Sequence, residues 1–231
     1  MIGGVLFDID NTLVDTSAAM LAAAETALQE TVPEATNDVV EAGAAIWLHD
    51  AHHRYEAYLA GELTFVGQRM QRVSDLFLAL KLPDPGEAGA RRWLELYRAA
   101  QLENCIVFAD VEPCLQALAE LPMGAVSNND GAWQRQRLHH VGLDRQIGAI
   151  LGIDDVGAAK PDPAMFHAGC TALGIAPEQV LYVGDSLEAD ARAATAAGLR
   201  GVWLDRFAAE SGPEDVERIT SLAQIPALLG R

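Results

Sequence analysis

Cysteine is scarce in this 231-residue chain: Cys105, Cys114 and Cys170 are the three present, scattered between positions 105 and 170. Three thiols cannot build a disulfide framework. None sits in a CxxC pair, and none lies near a histidine at a zinc-like spacing. Reduced, mostly buried cysteines in a cytoplasmic protein are the expectation. Long hydrophobic runs are missing too, since no stretch approaches the ~20 apolar residues that a membrane span needs. No basic segment follows Met1, where Ile2-Gly3-Gly4-Val5 stands, so no signal peptide is expected. Positive charge is short as well: 16 Lys and Arg face 33 Asp and Glu, for a formal net charge of −17. Such a surface repels phosphate backbones and anionic headgroups, which argues against nucleic-acid and membrane partners. A phosphorylated substrate would have to be drawn in by local positive groups.

What the chain does have is apolar content. Half of it (50%) is hydrophobic and 21% is charged, a composition that excludes disorder and supports a sizeable core. Short apolar bursts recur at Gly4–Asp10, which ends in carboxylates, and at Met123–Ser127, Ile147–Leu151, Val180–Gly184 and Gly201–Asp205. Runs of this length fit strands buried on both faces of a parallel sheet. Helical patterns lie between them, one over 111–121 and another capped by Asp162 with Pro163 behind it. Alternating strands and helices predict a doubly wound α/β core with right-handed crossovers.

One region breaks the alternation. Four amphipathic helices are predicted there: one capped by Thr16 or Ser17, one from Asn37 through Tyr58 to a stop at Gly61, one opened by Thr64, and one after the Pro83-Asp84-Pro85-Gly86 turn. Their stripes can bury one another. The predicted organisation is therefore a core at 1–14 and 104–231, with an all-helical insert at 15–103.

In an open parallel sheet, ligands bind beyond the carboxyl ends of the strands, where strand order reverses. The polar residues after each burst are Asp8 and Asp10, then Ser127, Asn128 and Asn129, then Lys160, then Asp185 and Ser186. Each has an ordinary reading alone: Asp8 as a helix cap, Ser127 as a turn residue, Lys160-Pro161 as a solvated loop. Their joint placement at strand ends is the stronger signal.

These residues carry a family resemblance. Phe7-Asp8-Ile9-Asp10-Asn11-Thr12-Leu13 resembles the first motif of the haloacid dehalogenase (HAD) superfamily, Asp-x-Asp-x-Thr-Leu. Val126-Ser127-Asn128 is similar to the second, Lys160-Pro161-Asp162-Pro163 to the third, and the 183–190 segment, with Asp185 and Asp190, to the fourth. All four stand in family order, and a helical insert after the first motif is what the subgroup with a C1 cap carries. The resemblance implies an Mg²⁺-dependent phosphatase. Asp8 would be the nucleophile that forms an aspartyl-phosphate. Mg²⁺ would be held by the Asp8 side chain, the Asp10 carbonyl and Asp185, with Asp190 orienting the site. Ser127 and Lys160 would bind and neutralise the phosphoryl group, with Asn128 beside them in substrate binding. Asp10 would be general acid and then base, and it reaches the same ligand as Asp8 only if the chain turns between them.

The same resemblance sets the alternatives. Dehalogenases of the superfamily lack the second Asp, because halide leaves without a proton, so Asp10 favours ester hydrolysis. A phosphonate-cleaving relative would use a lysine in the insert as a Schiff base, and Lys81 beside a turn suits that poorly. A sugar phosphomutase shares all four motifs, and a binding domain that has lost turnover is the reading from a different class. Cap domains in the family close over the site on two linking segments, here about 13–17 and 103–108. Arg69 and Arg72 can clamp an anionic leaving group, although a solvated helix face accounts for them equally well. His49 and His53 form only an i, i+4 pair lacking a third metal ligand. The expected partner is a small phosphorylated metabolite, and the expected assembly a monomer or homodimer.

Overall fold

Apolar runs with few turn residues can bury both faces of a strand, and the sheet is built from them. The computed structural model describes residues 1–207 and 215–230. The expected core segment at 104–231 therefore includes residues, 208–214 and 231, that lie outside the described ones. Six strands form one parallel sheet: β1 (Gly4–Phe7), β2 (Met123–Val126), β3 (Ala149–Leu151), β4 (Val180–Gly184), β5 (Arg200–Leu204) and β6 (Glu217–Ile219), in the order β3-β2-β1-β4-β5-β6. This is the doubly wound arrangement. The chain moves outward from β1 to β3, then starts again on the other side of β1 with β4, so order reverses between β1 and β4. In register there, Phe7 pairs with Ala125 on one side and Val183 on the other.

Two compact units divide the chain: Met1–Asp15 with Ile106–Arg231, and Thr16–Cys105. The second is wholly helical, with α1 (Thr16–Thr31), α2 (Asn37–His49), α3 (Arg54–Leu59), α4 (Phe65–Ala79) and α5 (Gly86–Glu103). Its centre is aromatic. Trp47 packs on Trp93 at 4.5 Å between ring centroids, and Trp93 stacks on Tyr97 at 5.2 Å with the planes 10° apart. Trp47 is thus core.

The insert holds five helices where four are predicted. The apolar stripe running through Tyr58 hides a break at Asp50, whose backbone turns left-handed (φ 45°) and ends α2. Asp50 then accepts a hydrogen bond from Tyr55 N at 2.8 Å, which satisfies a donor in the first turn of α3. Asn37 is not the cap of α2: Thr36 holds that position, without a side-chain bond. Thr64 does cap α4, accepting from Gly67 N at 2.9 Å.

The α/β unit carries α6 (Val111–Ala117), shorter than the predicted 111–121, then α7 (Gly131–His140), α8 (Ile153–Val156) and α9 (Pro163–Leu173). Asp162 caps α9 with Pro163 behind it, as its sequence implied. After β4 comes a π-helical turn, Leu187–Arg192, continued by α10 (Ala193–Ala196). The two chain segments beside the insert run side by side: Asp15 N donates to Ile106 O at 2.9 Å, and Phe108 N to Leu13 O at 3.2 Å. Among the described residues no helix is long and apolar enough to cross a membrane.

Candidate active site

The strand ends bring four sequence motifs together at the point where strand order reverses. Asp8 follows β1 directly, and its N–H donates to Val183 O at 2.8 Å, so the sheet fixes its backbone. The chain then turns. The N–H groups of Thr12, Leu13 and Val14 all point to Ile9 O, and Asn11 takes a left-handed conformation (φ 58°). That turn supplies the freedom that two residues along one strand would lack.

Lys160 lies at the centre. Its Nζ donates to Asp8 Oδ1 at 2.6 Å, Asp190 Oδ1 at 2.7 Å and Tyr182 Oη at 3.0 Å, all in a nearly dry environment. Burial alone would lower the Lys160 ammonium, but Asp190 and Asp8 outweigh it and hold it well above its ordinary value. Burial pushes the Asp8 carboxyl well up, against the pull of Lys160. Asp185 is pushed up to about 7, by burial first and by the charge of Asp190 second. Two carboxylates thus share one ammonium with a third, Asp185, close by, and the surplus of negative charge calls for a cation.

The donor set fits one. Asp8, Asp185 and Asp190 each offer an oxygen, and the three lie within 4.8 Å of one another. Asp8 Oδ2 is buried with no hydrogen-bond partner among the described residues, an arrangement that costs energy unless something else binds it. Oxygen ligands alone suit a hard divalent cation such as Mg²⁺. Asp190 reaches this place through its π-turn, in which Asp190 N and Ala191 N both donate to Ser186 O. Its Oδ2 accepts from Ser186 N at 3.0 Å. Gly184 leaves the room: a Cβ there would stand 2.4 Å from Asp190 Cγ. Asp190, expected to orient the site, stands in the carboxylate group itself.

The side chain of Asp10 turns elsewhere. Its carboxylate accepts from Ser127 Oγ at 3.2 Å, Gln134 Nε2 at 2.7 Å and Arg137 Nη1 at 2.5 Å. Ser127 follows β2 directly, its N–H donating to Leu151 O. Asn128 is expected in substrate binding. Its amide brackets the main chain of Lys160, donating to Lys160 O at 2.7 Å and accepting from Lys160 N at 2.6 Å.

Arg69 and Arg72, expected to form an anion clamp, belong to the helical unit. Arg72 donates to Trp47 O, lies 4.2 Å from the Trp47 ring centroid and pairs with Asp50 at 3.5 Å. Its side chain is only 10% exposed, so it is not on a solvated face. Arg69 lies over the rings of Phe65, at 4.5 Å, and Tyr97, at 5.9 Å.

Sequence reasoning missed Tyr182, Gln134 and Arg137. Tyr182 sits inside an apolar strand and looks like core. Gln134 and Arg137 had a signal: both are polar, one turn apart, on the stripe that Leu138 shares.

Comparison with known proteins places the chain in a family. A family model described as haloacid dehalogenase-like hydrolase matches residues 2–198. The chain belongs to this family. A glyceraldehyde 3-phosphate phosphatase of Methanopyrus kandleri is 28% identical over 208 residues, 89% of this chain and 85% of that protein. A phosphoglycolate phosphatase of Escherichia coli is 29% identical, over 88% and 81% of the two chains. Among solved structures, a magnesium-bound HAD hydrolase of Bacillus subtilis superposes with a TM-score of 0.81 at 24% identity, over 100% of this chain and 99% of that one. The L-2-haloacid dehalogenase of Xanthobacter autotrophicus gives 0.77 at 18%, with the same coverage. These last two likenesses establish the HAD fold.

Proposed function

We propose that this HAD-type phosphoric monoester hydrolase cleaves a small phosphorylated metabolite through a covalent phosphoryl group on Asp8, with Mg²⁺ as its metal. The observation that carries the reading is the buried Asp8 Oδ2, without a hydrogen-bond partner among the described residues, on a carboxylate grouped with those of Asp185 and Asp190 and paired with Lys160. The phosphatases named among its relatives support the reaction class.

In this reading Asp8, Asp185, Asp190 and the Asp10 carbonyl would hold Mg²⁺, which when bound would supply positive charge that lets a carboxylate meet a phosphate dianion. Asp8 attacks phosphorus: an oxygen–phosphorus bond to Asp8 forms as the ester bond breaks. Asp10 gives its proton to the departing alkoxide. Water then loses a proton to Asp10 and attacks the same phosphorus, releasing inorganic phosphate and restoring the Asp8 carboxylate. Lys160 balances charge on Asp8 and on the transferring group, and Ser127 donates to a phosphoryl oxygen. Asn128, by gripping the Lys160 main chain, keeps that ammonium in place.

The test is an aryl phosphate assayed with Mg²⁺ and with EDTA, in the wild type and in Asp8→Asn. Turnover that needs the metal and falls by about 10³ or more in the variant supports the proposal, since a lost nucleophile removes the covalent route. Chloride release from a 2-haloacid, with no phosphate release, would overturn it.

A further inference from the structure

We infer that Gln134 and Arg137, one turn apart on α7, are positioning residues for the acid–base work of Asp10, an inference that rests on the phosphatase reading above. Both are 0% exposed. A guanidinium is almost never placed so deep without a partner, because leaving water costs it several kcal/mol. Here the partner is the Asp10 carboxylate. Arg137 Nη1 donates to Asp10 Oδ1 at 2.5 Å and to Gln134 Oε1 at 2.9 Å. Gln134 Nε2 in turn donates to Asp10 Oδ2 at 2.7 Å and to Ser127 Oγ at 2.8 Å. Ser127 Oγ closes the ring, donating to Asp10 Oδ2 at 3.2 Å and accepting from Asn129 N at 3.2 Å.

The donors and acceptors match in one sense only. Flipping the Gln134 amide would set its carbonyl against the Asp10 carboxylate and its NH₂ against the Arg137 guanidinium. Arg137 therefore fixes the amide, and the amide fixes both Asp10 and Ser127. Such fixing is needed. Asp10 stands past the end of β1, beside the left-handed Asn11, where no strand dictates the direction of its side chain. A proton-transfer group must be held within hydrogen-bond reach of its target, and loose placement costs rate steeply. The ring also ties Asp10, in the turn after β1, to Ser127, directly after β2, so that the acid–base group and the phosphoryl-binding hydroxyl share a single frame.

The test uses the full-length protein with Mg²⁺, comparing wild type, Arg137→Met, Arg137→Lys and Gln134→Met on p-nitrophenyl phosphate and on an alkyl phosphate. Nitrophenolate leaves without needing a proton, so the first step on the aryl ester survives while discharge of phospho-Asp8 slows. Expected for the Met variants is a burst of nitrophenolate near one per site. A steady state reduced about tenfold or more should follow, with kcat/KM held, and the loss on the alkyl ester should approach a hundredfold. Arg137→Lys recovers part of both. Should Arg137→Met lack a cooperative melt, Gln134→Met, which removes no charge, carries the same readouts. Met variants within threefold of wild type on both esters, or an equal loss on both without a burst, overturn the positioning role. A wild type without turnover on either ester defeats the phosphatase reading itself.

Discussion

Tyr182 links the two charged halves of the site through one hydroxyl. It accepts from Lys160 Nζ at 3.0 Å and donates to Asp190 Oδ1 at 2.7 Å. Burial, reinforced by the charge of Asp190, pushes its phenol well above the ordinary value, so it remains a donor. Tyr182→Phe keeps the ring against Phe166, where the centroids are 5.0 Å apart, and leaves the Lys160–Asp190 pair in contact. The expected cost is about 1–3 kcal/mol of stability by urea unfolding, the range for a buried partner left unsatisfied. Lys160→Met is a different kind of change. It strips the counter-charge from two buried carboxylates and should cost about 10²–10³ in kcat, as loss of a charge-stabilising donor does elsewhere. Activity in Lys160→Met closer to wild type than in Tyr182→Phe would contradict the role given to the ammonium.

At the scale of elements, the sequence was most readable where both faces of a strand are buried. β1, β2, β4 and β5 announce themselves as apolar runs, and the catalytic motifs follow from where those runs stop. β6 does not: Glu217-Arg218-Ile219 is a short edge strand, and part of its definition is an ion pair between Arg200 and Glu217 at 2.8 Å. The break between α2 and α3 was equally hidden, because Asp50 is fixed by Arg72, a residue more than twenty positions away. The buried ring on α7 has the same character, since pairings across the fold leave little local trace. Arg72 therefore belongs to the architecture of the helical unit. Arg72→Ala should lower stability by about 2–4 kcal/mol, through lost packing on Trp47 and an uncompensated Asp50. Arg69→Ala removes a guanidinium that lies over two rings, and it tests the anion-binding expectation. A KM raised about tenfold with kcat unchanged would support a substrate contact, and an unchanged KM would remove Arg69 from that role.

Over the whole molecule the formal charge is −17, and a small part of that surplus lies buried where Asp8, Asp185 and Asp190 meet. Both Asp8 and Asp185 bind protons more tightly folded than unfolded, Asp185 with a value of about 7. For a raised carboxylate the linkage has a fixed sign: its stabilising contribution is complete below the ordinary value of 3.8 and is lost as pH rises through about 7. The metal-free chain should accordingly become less stable between about pH 4 and 7 on account of Asp185. A divalent cation competes with those protons, so its apparent affinity should fall up to tenfold per pH unit below 7 for each proton displaced. Differential scanning calorimetry with Mg²⁺ or EDTA reads this directly. At pH 8, Mg²⁺ at about 100 times its Kd adds about 2.7 kcal/mol, or about 5–10 °C in Tm for a chain of this size. At pH 5.5 most of that increment should vanish. Equal Mg²⁺ shifts at both pH values would place the cation away from Asp185, because only a site that shares its ligands with the proton acquires this dependence.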